Sequence, residues 1–244
     1  MFSRNPYSRV YSFYVDKLFS PNPHYWKAVG VPITKVQRSK SSCGHDIQFR
    51  EYIQYIIDNK MVDREYHIVP TNDVCRPCNV KYDFIGKLEN FETDLKRMLS
   101  MLKMDHYPYF NTSFKDEFSA DAADDIIHAF TSFIKGADKC MSRYASLQRV
   151  WRVFQLRGFI SESVKLPIAK NEGKSIKYKQ LTNMVSEISA KSHKTDLKKQ
   201  KHDSMVKAFL SIPLDMMHKL HDVYKEDLIL FGYEEFPNDL FQTR

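Results

Sequence analysis

The sequence RNPYSRVYSFY, at residues 4–14, gives the clearest indication of how this chain folds. Asparagine is a preferred residue at a helix start, where its side chain accepts a hydrogen bond from a free amide, and Asn5 stands at such a point. Pro6 follows it and fits the first helical position, because its missing N–H would have had no partner there. Beyond this pair, apolar residues recur at helical spacing, at Val10, Phe13, Tyr14 and Leu18. The stretch therefore predicts a strand end, a turn and a capped helix.

The same stretch places an arginine and a serine where both can reach one anion. Arg4 lies between the expected strand and helix, where free amides and the positive end of the helix dipole favour an anion. An arginine can bind a phosphate through two parallel hydrogen bonds. Ser12 lies seven residues after the cap, about two helical turns on and nearly in line with it. The alternative interpretation is that Arg4 and Arg9 are surface charges and Ser12 an ordinary helical residue.

Outward from this point, apolar periodicity predicts more helices. They are expected at residues 46–58, 93–104, 120–156 (broken near Gly136) and 214–230, the last ended by Gly232. A buried strand is expected at 80–89. Strands that alternate with helices favour an α/β architecture. Residues 167–207 are polar and rich in lysine, and their cluster KKQKH at 198–202 is interpreted as a solvated helix face or a mobile loop.

Composition indicates a globular chain that suits an anionic partner. Of 244 residues, 43% are hydrophobic and 14% aromatic, which excludes the disordered class. The net charge of +7 suits nucleic acid, a phosphorylated nucleotide, an acidic lipid or an acidic polysaccharide. No run approaches the ~20 apolar residues that span a bilayer, and no signal peptide is recognisable. Because Met1 stands three residues before Arg4, we expect further sequence upstream.

Four cysteines, Cys43, Cys75, Cys78 and Cys140, allow three pairings if all are oxidised. Cys43, Cys75 and Cys78 could form a four-ligand zinc site with His45, but their spacing is unusual and only one Cys-x-x-Cys is present. A redox pair is expected at a helix start after a strand, whereas this one precedes the expected strand. We therefore predict structural disulfides and no metal. The sequon at Asn111 predicts N-glycosylation, and together these features favour a secretory compartment.

The stretch at residues 4–14 resembles the 3′-phosphate-binding motif of sulfotransferases: Arg-Asn-Pro, five residues, Ser and an aromatic pair. The resemblance implies that Arg4 and Ser12 hold the 3′-phosphate of 3′-phosphoadenosine 5′-phosphosulfate, with Arg9 nearby in support. The tail Tyr-x-x-Lys at 14–17 is similar to the Golgi carbohydrate branch of that family. Many members have Asp where this chain has Asn5, and either residue can cap the helix.

A second resemblance lies downstream. His67, Pro70 and CRPCNVKYDFIGKLE at 75–89 are similar to the His-Trp, Cys-x-Pro-Cys and Tyr-Asp-Phe-x-Gly-Lys-x-Glu series of the chondroitin/dermatan 4-O-sulfotransferase and HNK-1 sulfotransferase group. Ile68 replaces the usual Trp. His67 is the candidate base for the acceptor hydroxyl. Further resemblances are a segment that flanks the adenine, at 88–94, and a closing helix with the sequences YKEDL at 224–228 and FGY at 231–233.

The resemblance implies a P-loop-like α/β sulfotransferase fold that lacks its first strand and 5′-phosphosulfate loop and carries extra helices. Residues 1–244 would be one partial domain, with a Lys-rich insertion at 169–207. The implied enzyme moves a sulfuryl group to a hydroxyl of an acidic glycan such as chondroitin or dermatan. It would face the Golgi lumen with type II topology, on a membrane anchor absent from this chain. A non-catalytic glycan- or nucleotide-binding remnant is the alternative. Only the net charge supports a nucleic-acid-binding domain, so we predict no nucleic-acid partner.

Overall fold

The amino-terminal elements form as the sequence predicts. The computed structural model describes residues 1–38, 43–59, 65–106, 114–174 and 176–241. Strand β1 (Phe2–Ser3) leads into helix α1 (Pro6–Phe13), with Pro6 in the first turn. The Asn5 side chain accepts a hydrogen bond from the Ser8 amide at 3.1 Å. This cap fixes where the helix begins, and with it the position of Arg4.

Strand β1 pairs in parallel with β2 (Gly86–Lys87), so that Phe2 lies opposite Gly86 and Ser3 opposite Lys87. The described ranges hold one sheet of these two strands, and the rest of their regular structure is helical. The buried strand expected at 80–89 is therefore wrong over most of its length. Val80 and Ile85 are exposed and no neighbouring strand covers them within the described residues, so apolar side chains there do not extend the ladder.

Ten further helices follow α1 in the described part of the chain. They are α2 (Pro23–Tyr25), α3 (Val31–Arg38), α4 (Phe49–Asp58), α5 (Thr71–Cys75), α6 (Phe91–Met101), α7 (Phe114–Ala137), α8 (Arg143–Leu156), α9 (Tyr178–Ala190), α10 (Lys194–Leu210) and α11 (Leu214–Leu230). Two π-helical segments, Tyr14–Phe19 and Trp26–Gly30, continue α1 and α2. The expected helices are confirmed with small shifts at their ends. The break near Gly136 falls between α7 and α8, and Gly232 follows α11 with a φ of 60°.

The core gathers the apolar faces of α1, α4, α8, α10 and α11 around large side chains. Those with the least exposure include Tyr7, Trp26, Tyr52, Phe154, Phe209 and Tyr224. Residues 169–207 contain α9 and most of α10, so the cluster at 198–202 lies on a helix and not in a mobile loop. Helix α10 reaches α1 through an edge-to-face contact between Phe209 and Tyr7, whose ring centroids lie 5.8 Å apart. Whether this segment is an insertion stays a prediction.

One disulfide joins distant parts of the chain: Cys43 is bonded to Cys140, across 97 residues. Cys75 and Cys78 carry free thiols, so the prediction of structural disulfides holds for one pair only. Because Cys43 is bonded to sulfur, the zinc set considered above does not form. Residues with defined positions contain no group of three or more His, Cys, Asp or Glu side chains placed to hold a metal. The sequon at Asn111 lies outside the described residues.

None of the helices in the described ranges has the length and apolar character that crossing a membrane requires.

Candidate anion-binding site

Arg4 turns its guanidinium back along the flank of α1. Its Nη2 donates to the Ser8 carbonyl and lies equally close to the Ser8 hydroxyl, both at 3.2 Å. Burial lowers the pKa of Arg4, and the nearby charges of Arg157 and Arg9 lower it further, against the opposing effect of Glu89. The group remains cationic near neutral pH, since an arginine titrates far above it.

Ser12 lies one helical turn beyond Ser8, so Arg4, Ser8 and Ser12 follow one another along the same flank of α1. Ser12 is half-buried, and no group in the described part of the chain forms a hydrogen bond with its hydroxyl. The two residues that the motif singled out are therefore aligned on one surface.

A carboxylate of the protein, that of Glu89, already binds at the amino-terminal end of α1. The Asn5 amide donates to Glu89 Oε1 at 2.8 Å, and the Tyr233 hydroxyl donates to the other carboxylate oxygen at 3.1 Å. The Ser8 amide is taken by the Asn5 cap, and Pro6 has no N–H. Two of the amides at the helix end are therefore already used within the protein, and whether free amides hold the anion stays a prediction. The flank of the helix carries the side chains of Arg4 and Ser12.

Two further cations reach the same flank from later parts of the chain. Arg157 follows α8 and binds Asp16, with Nη1 3.1 Å from Oδ1. Lys201 lies in α10 and is an exposed residue, although neighbouring protein atoms partly desolvate its amine. Burial, followed by repulsion from Arg4 and Arg157, lowers the pKa of Lys201 to about 8. Sequence reasoning missed both residues, because Lys201 belongs to the cluster interpreted as solvated and no motif marks Arg157.

Arg9 is turned to a different partner. Its Nη2 lies 3.3 Å from Oδ2 of Asp227, and its guanidinium lies over the Tyr224 ring at 5.6 Å. Asp227 is only 1% exposed and also accepts the backbone amides of Thr71 and Asn72 at 2.6 and 2.7 Å. The pair therefore joins α1, α5 and α11. The assignment of Arg9 to the anion stays a prediction, and the contacts seen here give it a structural role.

Replacing Asp227 with asparagine is expected to lower the free energy of unfolding by about 3 kcal/mol, because it leaves the buried charge of Arg9 without a counterion. Urea denaturation measures the change. Asp222→Asn is the matched control on the same helix, since its side chain is 76% exposed, and it is expected to cost less than about 1 kcal/mol. Equal losses in the two variants would contradict a structural role for the Arg9–Asp227 pair.

His67, the predicted base, lies on the surface with 54% of its side chain exposed. Its Nδ1 is 2.6 Å from Glu65 Oε1, and its backbone amide donates to Glu65 Oε2 at 2.8 Å. The imidazole also lies against the rings of Phe13 and Tyr25, with centroids 5.9 and 6.0 Å away. The carboxylate thus orients the histidine by two contacts, a common arrangement for an imidazole that exchanges protons.

The first π-helical segment connects the anion-binding flank with His67. It carries Asp16, which binds Arg157 on one side and Lys17 on the other, the latter at 2.8 Å. The Lys17 ammonium lies 5.4 Å from the centroid of the Tyr25 ring, and that ring contacts His67. Two ion pairs, a cation–π contact and a contact between rings therefore link Arg157 to the histidine. Short π-helical segments are frequent at functional sites, where they re-aim side chains.

Comparison with known proteins finds a matching family and several similar proteins. A family model described as "Sulfotransferase family" matches residues 1–155. Human carbohydrate sulfotransferase 8 is 32% identical over 128 residues, which cover 50% of this chain and 30% of that protein. Human carbohydrate sulfotransferase 9 is 33% identical over 128 residues, covering 50% and 28%. Zebrafish (Danio rerio) carbohydrate sulfotransferase 14 is 33% identical over 104 residues, covering 41% and 28%. The chain thus spans about 30% of the length of these relatives. No solved structure matches it.

Proposed function

The chain belongs to the sulfotransferase family, and on that premise we propose that it is a carbohydrate sulfotransferase. It would transfer a sulfuryl group from 3′-phosphoadenosine 5′-phosphosulfate to a hydroxyl of a glycan. One observation supports the proposal most directly: the Arg4 guanidinium lies along the flank of α1 that also carries the Ser12 hydroxyl. Arg157 and Lys201 are close enough to Arg4 for their positive charges to interact.

In this proposal Arg4 and Ser12 hold the 3′-phosphate of the nucleotide. A guanidinium can donate two parallel hydrogen bonds to phosphate oxygens, and a hydroxyl on the same flank adds a third. Arg4 also stands directly after β1, and in open α/β sheets ligands bind at the carboxyl ends of parallel strands. We propose that β1 and β2 are the part of a P-loop-like sheet present here. No residue of the chain is assigned to the 5′-phosphosulfate.

The transfer forms a bond between the acceptor oxygen and sulfur and breaks the bond between sulfur and the 5′-phosphate oxygen. The hydroxyl proton must pass to a base as this happens. We propose His67 for that role. Because Glu65 lies against Nδ1, Nε2 would take the proton and Glu65 would stabilise the resulting imidazolium.

The acceptor is proposed to be an acidic glycan such as chondroitin or dermatan. A net charge of +7 favours a polyanionic partner, and the relatives named above are carbohydrate sulfotransferases. We propose a lumenal position in the Golgi, on a membrane anchor with type II topology. The Cys43–Cys140 disulfide supports an oxidising compartment, and glycosylation at Asn111 would agree with it.

The test is transfer of labelled sulfate from the nucleotide to desulfated chondroitin and desulfated dermatan. We expect transfer by the chain joined to an upstream segment that supplies a 5′-phosphosulfate loop. His67→Gln in the same protein keeps the size of the side chain but removes the base, and is expected to be about 10²-fold slower. His128→Gln, at an exposed position on α7, is the control and is expected to leave the rate unchanged.

Two results would count against these assignments. Selective nucleotide binding with no transfer to any glycan would favour a non-catalytic binding protein over an enzyme. Equal rates for the wild-type chain and His67→Gln would remove His67 from the reaction and leave the enzyme assignment standing.

A further inference from the structure

We propose that Arg157 and Lys201 complete the phosphate site of Arg4 and Ser12 and bind the 3′-phosphate of the nucleotide directly. Both residues lie outside the segment that the family model matches, which is residues 1–155. The inference rests on the proposed function, because it names two further ligands of the nucleotide that the enzyme would use.

The chain brings α10 against the end of α8 at a single glycine. Arg157 is followed by Gly158, whose φ of 72° lies in the left-handed region. A Cβ at Gly158 would stand 2.6 Å from the Leu197 carbonyl oxygen and 3.2 Å from the Cβ of Lys201. A side chain at this position would therefore separate the two elements. Because Gly158 has no side chain, the backbone next to Arg157 can lie directly against Lys201.

Helix α10 is held in this position by the residue before Lys201. The Gln200 side chain donates to the carbonyls of Gln155 and Ile160 at 2.7 and 3.0 Å, and accepts the Glu162 amide at 2.7 Å. Further along, Phe209 anchors the same helix to Tyr7 of α1. Lys201 thus lies on a helix fixed at both sides, and its placement between α1 and α8 follows from the fold.

The positive charges in this place are only partly balanced by the protein, through Asp16 beside Arg157 and through Glu89, which acts on Arg4 without forming an ion pair with it. Arg157 shares Asp16 with Lys17, at 3.1 and 2.8 Å. No carboxylate in the described part of the chain forms an ion pair with Arg4 or Lys201. The charged groups that lower the pKa of Lys201 are Arg4, which precedes α1, and Arg157, which follows α8. Three cations held close together by rigid elements are stabilised when an anion binds among them.

A phosphate monoester fits this arrangement better than a carboxylate or a sulfate ester. It carries about −1.5 to −2 charges at neutral pH, so it can offset more of the local positive charge. Its three terminal oxygens can accept hydrogen bonds from several donors at once. Arg4, Arg157, Lys201 and Ser12 together supply donors of this kind from three separate parts of the fold.

The experiment compares binding of 3′-phosphoadenosine 5′-phosphate and of adenosine 5′-monophosphate, which lacks the 3′-phosphate, by calorimetry on the whole chain. The wild-type chain is expected to prefer the first. Lys201→Met and Arg157→Met are each expected to weaken it about 10- to 100-fold and to leave binding of the monophosphate unchanged. Lys201→Arg is expected to retain most of the preference. Lys199→Met, an exposed lysine on the same helix, is the matched control.

The pH dependence adds a readout that a merely structural role would not give. Binding of the phosphate would raise the pKa of Lys201 above its value of about 8 in the free chain, so the complex takes up a proton between the two values. Affinity for 3′-phosphoadenosine 5′-phosphate is therefore expected to fall above pH 8, by up to about tenfold per pH unit. In Lys201→Met and Lys201→Arg this fall is expected to disappear.

The outcomes separate the two proposals. If the wild-type chain does not distinguish the two nucleotides, the proposed function loses its phosphate site. If it distinguishes them and Lys201→Met does so equally well, only the present inference is overturned. Equal weakening of both nucleotides, or weakened binding of chondroitin with nucleotide binding intact, would also overturn it.

Discussion

Replacing Arg4 with methionine is expected to weaken binding of 3′-phosphoadenosine 5′-phosphate by at least about 30-fold, since removal of one partner from a hydrogen-bonded charge pair costs about 2–5 kcal/mol. Methionine keeps much of the aliphatic length, so the change removes the charged fork and little packing. Sulfate transfer at low nucleotide concentration is expected to fall by the same factor. Calorimetry and the labelled-sulfate assay measure the two effects.

Two further variants test whether the effect of Arg4→Met comes from the lost hydrogen bonds to the phosphate. Arg4→Lys retains the charge but loses the parallel pair of hydrogen bonds, so it is expected to lie between Arg4→Met and the wild-type chain. Arg50→Met, at an exposed position of α4, is the control for loss of one positive charge. Because Arg4 contacts Ser8 on the flank of the helix, thermal stability is expected to change little. Equal nucleotide affinities for Arg4→Met and the wild-type chain would refute the phosphate site.

The second large effect is expected from the Cys43–Cys140 disulfide. Its residues are 97 positions apart, and in the chain-entropy account a bond that closes a loop of about 100 residues stabilises the folded state by about 4.7 kcal/mol. The double variant Cys43→Ser/Cys140→Ser is expected to lose most of this free energy of unfolding. Urea denaturation of the variant, and of the wild-type chain with and without reductant, measures the loss.

The remaining cysteines provide a matched control for this experiment. Cys75 and Cys78 carry free thiols, so Cys75→Ser/Cys78→Ser is expected to keep the wild-type sensitivity to reductant and to change stability by less than about 1 kcal/mol. If the control pair lost as much stability as the bonded pair, or if reductant had no effect on the wild-type chain, the assignment of the bond would be wrong.

Local features of the fold could be predicted from the sequence because their causes are local. The start of α1 depends on Asn5 and Pro6, which act within one turn of the helix, and the amphipathic helices depend on neighbouring side chains. The strand at 80–89 could not be judged in the same way. A strand needs a partner, and β1 is only two residues long, so the ladder stops at Gly86 and Lys87.

In the candidate site, too, some residues could be predicted from local sequence and others depend on tertiary contacts. Arg4 lies just before α1 and Ser12 lies on it, and their spacing is enough to place them on one flank of the helix. Arg9 has the same kind of local environment, but its partner Asp227 comes 218 residues later, and nothing near Arg9 in the chain reveals it. Arg157 and Lys201, proposed as further ligands, come close to α1 only through tertiary contacts of α8 and α10. Side chains that tertiary contacts bring together have no signature in a single sequence.

Position 158 has a consequence for how sequence variation in this protein would be interpreted. Gly158 is absent from every set of residues proposed to contact the nucleotide, yet any other amino acid there must adopt a left-handed backbone and displace the Leu197 carbonyl. Such a replacement would shift Lys201 and Arg157 relative to each other while leaving both in the chain. A missense change at this glycine would then keep the proposed ligands in the sequence and disturb their arrangement. A survey restricted to contact residues would classify it as neutral.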